Sequence, residues 1–217
     1  MRTFISYSTT DRILAGEVKE SLEDFGFSTF LAHDDIKPTQ PWVERILDEL
    51  NKSDIFFPLL TDNFHKSVWT SQEVGIAVGR GTFVVSLKVD VDPEGFLARF
   101  QALKLRPTNL KKSAFEIAHL VSEEASLRRL FLNDLISLYE ASRSFDQAAY
   151  RSSQLNLFEG YTPSQVNAVL QAAINNNQIY LSWGSDKELD KFIHTHREIV
   201  NKNFVRSYHA KRSGNAG

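Results

Sequence analysis

The chain has 217 residues, of which 42% are hydrophobic and 24% are charged, a composition typical of a globular protein that buries a core. The net charge of −2 argues against a protein held on nucleic acid by bulk positive charge. The absence of cysteine excludes disulfides, zinc–thiolate sites and cysteine nucleophiles. No apolar run approaches the roughly 18 residues of a membrane span, and the first residues lack the apolar segment of a secretory signal. We therefore expect a cytoplasmic protein with no nucleic-acid or membrane partner.

Short apolar runs alternate with amphipathic stretches over the first hundred residues. Strands are predicted at residues 4–7, 27–31, 54–60 and 82–87, and helices at 14–25, 43–50 and 69–78. The third strand is nearly all apolar, as expected when both faces of a parallel sheet are covered, and its Pro58 predicts an interrupted ladder. Strict alternation of strands and helices predicts an α/β domain with a mainly parallel sheet.

The pattern becomes helical beyond about residue 109. Apolar residues at helical spacing predict one long helix over 127–138, and Thr162-Pro163-Ser164-Gln165 has the form of a capping box with proline at the first helical position. Ser185-Asp186-Lys187-Glu188 is predicted to be a second box, after a short extended or turn segment at 178–183. We place the boundary after residue 125 and expect residues 126–217 to form a mainly helical extension that binds a partner, oligomerises or senses a signal.

Candidate functional residues lie at the carboxyl ends of the predicted strands, where ligands bind in open parallel sheets. Glu73 lies early in the helix that follows the third strand, and Trp69 lies one turn before it at i−4, so the two side chains share a face. An aromatic ring can pack against a sugar or a flat heterocycle. The carboxylate can contact hydroxyls or stabilise a positive charge, so this pair predicts a binding or catalytic site.

Four segments carry a resemblance to a known family. They comprise residues 4–11, 26–30, 35–42 and 67–73. In order and spacing they resemble the opening strand and loop, the second strand, the BB loop and the Trp-x-x-x-Glu motif of a Toll/interleukin receptor (TIR) domain of the NAD-cleaving bacterial type. The resemblance covers about residues 1–125 and implies a flavodoxin-like fold with a five-stranded, mainly parallel sheet.

The resemblance also implies NAD⁺ glycohydrolase or ADP-ribosyl cyclase chemistry, with NAD⁺ as substrate rather than cofactor. Glu73 corresponds to the catalytic glutamate of the motif. Breaking the nicotinamide–ribose bond develops positive charge at the anomeric carbon, which a carboxylate stabilises. The leaving group is already cationic, so no general acid is required. The predicted substrate-binding residues are Ser6, Tyr7, Asp11, Trp42 and Trp69.

Each of these residues has a second interpretation. Glu73 taken alone is typical of a solvated helix position, and Trp69 of a core or edge aromatic. Trp42 begins a helix, and its position also favours a structural plug beneath the BB loop. Asp11 is also explained as the N-cap of the first helix, because aspartate is among the preferred residues there. The six histidines show no ligand spacing, so no metal site is expected.

The expected partners follow from the same resemblance. TIR–TIR contacts would form a homo-oligomer, and a phage-derived trigger or a downstream effector is expected if the protein serves antiphage signalling through a cyclic ADP-ribose isomer. Two other functions remain open. A non-catalytic scaffold would show no NAD⁺ turnover when assembled, and an enzyme like the nucleoside deoxyribosyltransferases would act on free deoxynucleosides.

Overall fold

The computed structural model describes residues 1–32 and 42–214. The chain divides into two compact units, Met1–Ala118 and His119–Gly217. The boundary that we predicted after residue 125 falls inside the second unit. Residues 33–41, which carry most of the segment that resembles a BB loop, lie outside the described residues.

The first unit is an α/β domain built on a parallel sheet, as the sequence predicts. Its strands are β1 (Arg2–Ser6), β2 (Ser28–Leu31), β3 (Ile55–Leu60), β4 (Phe83–Val84), β5 (Leu87–Lys88) and β6 (Leu103–Lys104). Its helices are α1 (Arg12–Glu23), α2 (Trp42–Lys52), α3 (Val68–Gly79) and α4 (Leu110–Glu123), the last of which runs into the second unit. In the part of the chain that the structure describes, the sheet order is β2-β1-β3-β5-β6, with β4 also paired to β3. Every pairing is parallel, and β4 and β5 share one position beside β3, which gives the five positions that we expected.

Pro58 interrupts the hydrogen-bond ladder between β3 and the neighbouring strand position that β4 and β5 share. The Phe56 carbonyl accepts a hydrogen bond from the Val85 N–H at 3.0 Å. Residues two apart on a strand direct their backbone groups toward the same neighbour, so Pro58 faces this strand without an N–H to donate. The neighbouring strand is divided at this point, because β4 pairs with residues 55–56 and β5 with residues 59–60. The predicted interruption is confirmed.

The core of the first unit lies on both faces of β1 and β3. Phe4 contacts Phe30 and Phe56, with ring centroids 5.5 and 5.8 Å away, and α2 and α3 cover this face. Phe27 meets Phe57 edge-on, and Phe57 points to the opposite face from Phe56 because side chains alternate along a strand. Right-handed crossovers place α1 on the face opposite to α2 and α3, because β2 lies on the other side of β1 from β3. Helices cover both faces, so a ligand has access to this sheet at the ends of its strands.

The second unit consists of helices joined by short connections in its described part. It contains α5 (Ala125–Glu140), α6 (Phe145–Leu155), α7 (Pro163–Asn175), α8 (Asn177–Tyr180), α9 (Trp183–Thr195) and α10 (Lys202–Ser213). The predicted helix over 127–138 is α5, which buries Leu127, Phe131 and Leu135. No helix among the described residues of the chain is long and apolar enough to cross a membrane.

The structure of the second unit confirms one capping prediction, corrects another and corrects the prediction for residues 178–183. Thr162 and Gln165 form the predicted capping box at the start of α7. The box predicted at Ser185 is wrong, because α9 begins earlier and its N-cap is Ser182, whose hydroxyl accepts from the Ser185 N–H. Ser185 is instead buried, with its hydroxyl 2.6 Å from that of Ser152. The segment at 178–183 is also partly helical, because it includes most of α8.

Two glycine-to-alanine substitutions, one at the contact between α6 and α9 and one in α1, are predicted to have opposite effects on stability. A Cβ at Gly184 would lie 2.7 Å from the Ala149 Cβ, whereas a Cβ at Gly16 in α1 would meet no atom within 4 Å. Gly184→Ala should therefore lower the free energy of unfolding by about 1–3 kcal/mol through overpacking. Gly16→Ala should raise it by about 0.5–1 kcal/mol, because alanine loses less backbone entropy in a helix. Urea unfolding followed by circular dichroism measures both, and a stabilised Gly184→Ala protein would contradict the packing.

Candidate functional site

Glu73 lies at the end of the sheet that is formed by the carboxyl ends of the parallel strands. The Ser67 hydroxyl caps α3 by accepting from the Thr70 N–H at 3.4 Å, and the Thr70 hydroxyl donates to the Phe64 carbonyl at 2.7 Å. These bonds fix the start of α3 relative to the segment that follows β3. The helix then brings Glu73, one turn further along, to the end of β1.

Ser6 and Glu73 form the closest contact of the site. The Ser6 hydroxyl donates to Glu73 Oε2, with 2.5 Å between the oxygens. Ser6 is fully buried and the Glu73 side chain is only 1% exposed. The interpretation of Glu73 as a solvated helix residue is therefore wrong. The two residues are 67 positions apart in the chain and meet because β1 and α3 converge at this edge.

Burial sets the electrostatics of this carboxyl group. Removal from water raises the pKa of Glu73 to about 7, and the hydrogen bond from Ser6 opposes that rise. Oε1 has no hydrogen-bond partner among the described residues. A buried carboxylate with one tethered oxygen and one unsatisfied oxygen is costly, and it is suited to accept from a ligand hydroxyl or to stabilise a cation.

The two predicted tryptophans meet. The rings of Trp42 and Trp69 lie edge to face, with their centroids 4.2 Å apart, and both side chains are partly buried. The contact joins the first residue of α2 to the first turn of α3. Trp69 also shares the Glu73 face of α3, as the i−4 spacing predicts. This pair gives the site an aromatic component one helical turn from the carboxylate.

Asp11 binds residues that the sequence analysis did not single out. Its Oδ2 accepts from the Thr61 hydroxyl at 2.6 Å, and its Oδ1 accepts from Asn63 Nδ2 at 3.0 Å. Asp11 stands at the N-cap position of α1, but its side chain bonds no backbone N–H there, so the capping interpretation is wrong. The carboxylate instead ties the loop after β1 to the segment between β3 and α3. Thr61 and Asn63 are polar residues that come directly after a buried strand, and this position was the sequence signal that could have identified them.

Tyr7 and a groove beside α3 are the remaining features of this part of the first unit. Tyr7 follows β1 and is fully buried, as one of the largest side chains of the core. A groove of about 400 Å³ runs along a different face of α3, between Ser71 and Val74 on the helix and residues 94–97. Within the described ranges, no three His, Asp or Glu side chains are close enough to hold a metal ion.

Comparison with known proteins places the first unit in a family. The family model described as TIR domain matches residues 3–121. Among solved structures, the TIR domain of the Toll-related Receptor TRR-2 from Hydra magnipapillata is similar, at 18% identity and a TM-score of 0.45. That similarity covers 53% of this chain and 92% of the Hydra chain. No curated protein sequence matches significantly. Ser6, Asp11, Trp42, Trp69 and Glu73 lie within this matched range.

The raised pKa of Glu73 predicts a pH-dependent gain in stability for Glu73→Gln. Below the ordinary pKa of 4.5 the carboxyl is neutral in the folded and unfolded states, and burial carries no charge penalty. As pH rises from 4.5 to about 7, the carboxyl group ionises in the unfolded state before it does so in the folded state, so the folded state loses stability. Glutamine lacks the charge, so Glu73→Gln should exceed wild type by roughly 3 kcal/mol at pH 8 and be close to it at pH 4.5.

Urea unfolding at the two pH values measures this difference. Glu44 is an exposed glutamate of the same unit, and Glu44→Gln is the matched control, expected to stay within about 0.5 kcal/mol of wild type at both values. A Glu73→Gln protein with the same advantage at both pH values would show that burial of the charge is not the cause.

Proposed function

The chain belongs to the TIR domain family, and on that premise we propose that its first unit cleaves the bond between nicotinamide and ribose in NAD⁺. The observation that supports this proposal is the buried Glu73 carboxylate, whose Oε2 is tethered by Ser6 and whose Oε1 has no partner among the residues that the structure describes. It lies at the carboxyl edge of a parallel sheet, where ligands of open α/β folds bind.

The proposed reaction uses Glu73 as an electrostatic catalyst. As the glycosidic bond breaks, its electron pair leaves with the pyridinium nitrogen, and nicotinamide departs as a neutral molecule. Positive charge develops on the ribose, and a nearby ionised carboxylate lowers the energy of that state. A water molecule then adds to the anomeric carbon and loses a proton, which gives ADP-ribose. Attack by a nitrogen of the adenine ring would instead give a cyclic isomer.

The neighbouring residues have separate proposed roles. Ser6 holds Oε2 and favours the ionised form of Glu73, which the reaction needs. Trp42 and Trp69 provide an aromatic wall for the nicotinamide or ribose ring and limit the access of water. Asp11 acts through Thr61 and Asn63 as a positioning residue for the segment that leads into α3.

The wider role that we propose follows from the four segments that resemble NAD-cleaving TIR domains. In this role, a homo-oligomer formed through TIR–TIR contacts consumes NAD⁺ in antiphage defence signalling. Because TIR domains generally assemble through such contacts, NAD⁺ turnover is to be measured over a range of protein concentrations. A protein that assembles without turnover would act as a scaffold instead.

The first test of the reaction is the rate of Glu73→Gln across pH. Wild-type kcat/KM should rise about tenfold per pH unit below 7 and level off above it, because it follows the pKa of Glu73 in the free enzyme and only the ionised form stabilises the transition state. Glu73→Gln should lower kcat by about a hundredfold or more, with little change in KM. Mass spectrometry of the products from NAD⁺ measures both rates. Glu44→Gln is the control, and a folded Glu73→Gln protein with wild-type kcat would rule out the catalytic role.

Ser6→Ala tests the tether. Loss of the hydroxyl removes the hydrogen bond that lowers the pKa of Glu73, so the midpoint of the pH–rate profile should move to higher pH. The rate at high pH should fall by less than about tenfold, because the charge is still present there. Ser28→Ala, at the exposed start of β2, should leave the profile unchanged. A lowered melting temperature with an unmoved profile would show that Ser6 only packs.

A further inference from the structure

The groove beside α3 has an apolar floor and exposed rings along its rim. Phe64, Val74 and Leu97 are buried and form the floor. Phe96 lines the groove and is 66% exposed, and the exposed ring of His65 also lines it. The volume of about 400 Å³ is within the range of small-molecule sites. Because flat heterocycles stack on aromatic rings, these features suit a nucleobase. We refer to residues 64–65, 71, 74 and 94–97 as the α3 groove.

Glu94 supplies a charged acceptor at the rim of the α3 groove. It is exposed and stands at the N-cap position of the 3₁₀ turn Gly95–Arg99, where its side chain bonds no backbone N–H. Within residues 1–32 and 42–214, no hydrogen bond or ion pair joins its carboxylate to another residue. An ionised carboxylate only accepts hydrogen bonds, so it complements the donors of an adenosine, which are the exocyclic amine and the ribose hydroxyls.

The α3 groove lies at the same end of the sheet as Ser6 and Glu73. One of its walls follows β3, in the turn Phe64–Lys66, and the other follows β5, in the turn Gly95–Arg99. In the sheet, β1, β3 and β5 are neighbours in that order, and adjacent strands are about 4.8 Å apart. The end of β5 is therefore about 10 Å from the end of β1, where Ser6 donates to Glu73. A dinucleotide carries its two ring systems at opposite ends of two riboses and a diphosphate, so one molecule can reach both places.

Lys66 lies in the chain between the α3 groove and the start of α3. It is exposed, it follows the groove residue His65, and it precedes Ser67, the N-cap of α3. No acidic side chain in the part of the chain that the structure describes forms an ion pair with it. An ammonium group at this position suits the negative charge of a diphosphate.

We propose that the α3 groove binds the adenosine half of NAD⁺ while Glu73 faces the ribose of the nicotinamide half. The adenine ring stacks on Phe96 beside His65, Glu94 accepts from the donors of the adenosine, and Lys66 contacts the diphosphate. The identity of the whole dinucleotide rests on the proposed function, whereas the rings, the carboxylate and the cation by themselves fit an adenine nucleotide.

Binding of AMP to the full chain tests the groove without the reaction. Isothermal titration calorimetry should detect AMP binding to the wild type, and Phe96→Ala should weaken it at least about tenfold because the stacking surface is lost. Glu94→Ala is a second variant and should weaken it about fivefold or more through the loss of hydrogen bonds. Phe145→Ala, which removes an exposed ring of α6, is the matched control and should bind AMP as the wild type does. Circular dichroism checks that each variant is folded.

A comparison of two substrates tests which half of NAD⁺ the groove holds. Phe96→Ala should lower kcat/KM for NAD⁺ about tenfold, because that variant loses binding energy for the adenosine half. The same variant should leave kcat/KM unchanged for nicotinamide mononucleotide, which contains the scissile bond and no adenosine. Phe145→Ala should change neither value.

Three results would overturn the proposal. The first is a wild-type protein that does not bind AMP. The second is AMP binding that neither Phe96→Ala nor Glu94→Ala weakens. The third is an equal loss of kcat/KM for both substrates in Phe96→Ala. Binding of AMP that depends on Phe96, in a protein that does not cleave NAD⁺, would instead refute the proposed reaction and keep the α3 groove as an adenine nucleotide site.

Discussion

The parallel pairing of β1 with β3 brings Ser6, Asp11 and Glu73 to the same end of the sheet. Ser6 pairs in register with Pro58, so the two strands end at the same edge of the sheet. The chain leaves β1 through Asp11 and leaves β3 through Thr61, and the hydrogen bond between these side chains joins the two exits. Glu73 reaches Ser6 because this junction fixes where α3 begins. This register places Phe4 beside Phe56 on one face and Phe57 against Phe27 on the other, and slippage by one residue would break both packing arrangements.

The catalytic proposal and the stability of the first unit are opposed. An apolar side chain in place of Glu73 would avoid the desolvation of a carboxyl group, and a surface glutamate would not carry that cost. Glu73 is almost fully buried, and one of its oxygens has no partner within residues 1–32 and 42–214, an arrangement that favours a perturbed pKa over stability. Such an arrangement is common where a functional group must be reactive near neutral pH, which is why this residue has more weight in the proposal than the two tryptophans.

Much of this arrangement could be predicted from local sequence patterns, and the remainder depends on contacts between distant residues. The third strand follows from a continuous apolar run, and the effect of Pro58 follows from its missing N–H. The shared face of Trp69 and Glu73 follows from the 3.6-residue period of a helix. The bond between Ser6 and Glu73 joins residues 67 positions apart, and no local pattern encodes it. The same limit explains the error at α9. Ser182 and Ser185 both fit an N-cap; the structure uses Ser182, and contacts with α6 hold both serines, since the Ser182 hydroxyl donates to the Phe145 carbonyl and the Ser185 hydroxyl meets that of Ser152.

The unsatisfied oxygen of Glu73 has a consequence for the proton balance of binding. With a pKa of about 7, the carboxyl group is a mixture of protonated and ionised forms in a neutral solution. A ligand that donates a hydrogen bond to Oε1, or brings a positive charge beside it, favours the ionised form and lowers this pKa. Binding of such a ligand then releases a fraction of a proton into the buffer. By the same linkage the ligand binds more tightly as pH rises toward 7, so the acidity of the surroundings becomes a control on occupancy, separate from any effect on the rate of reaction.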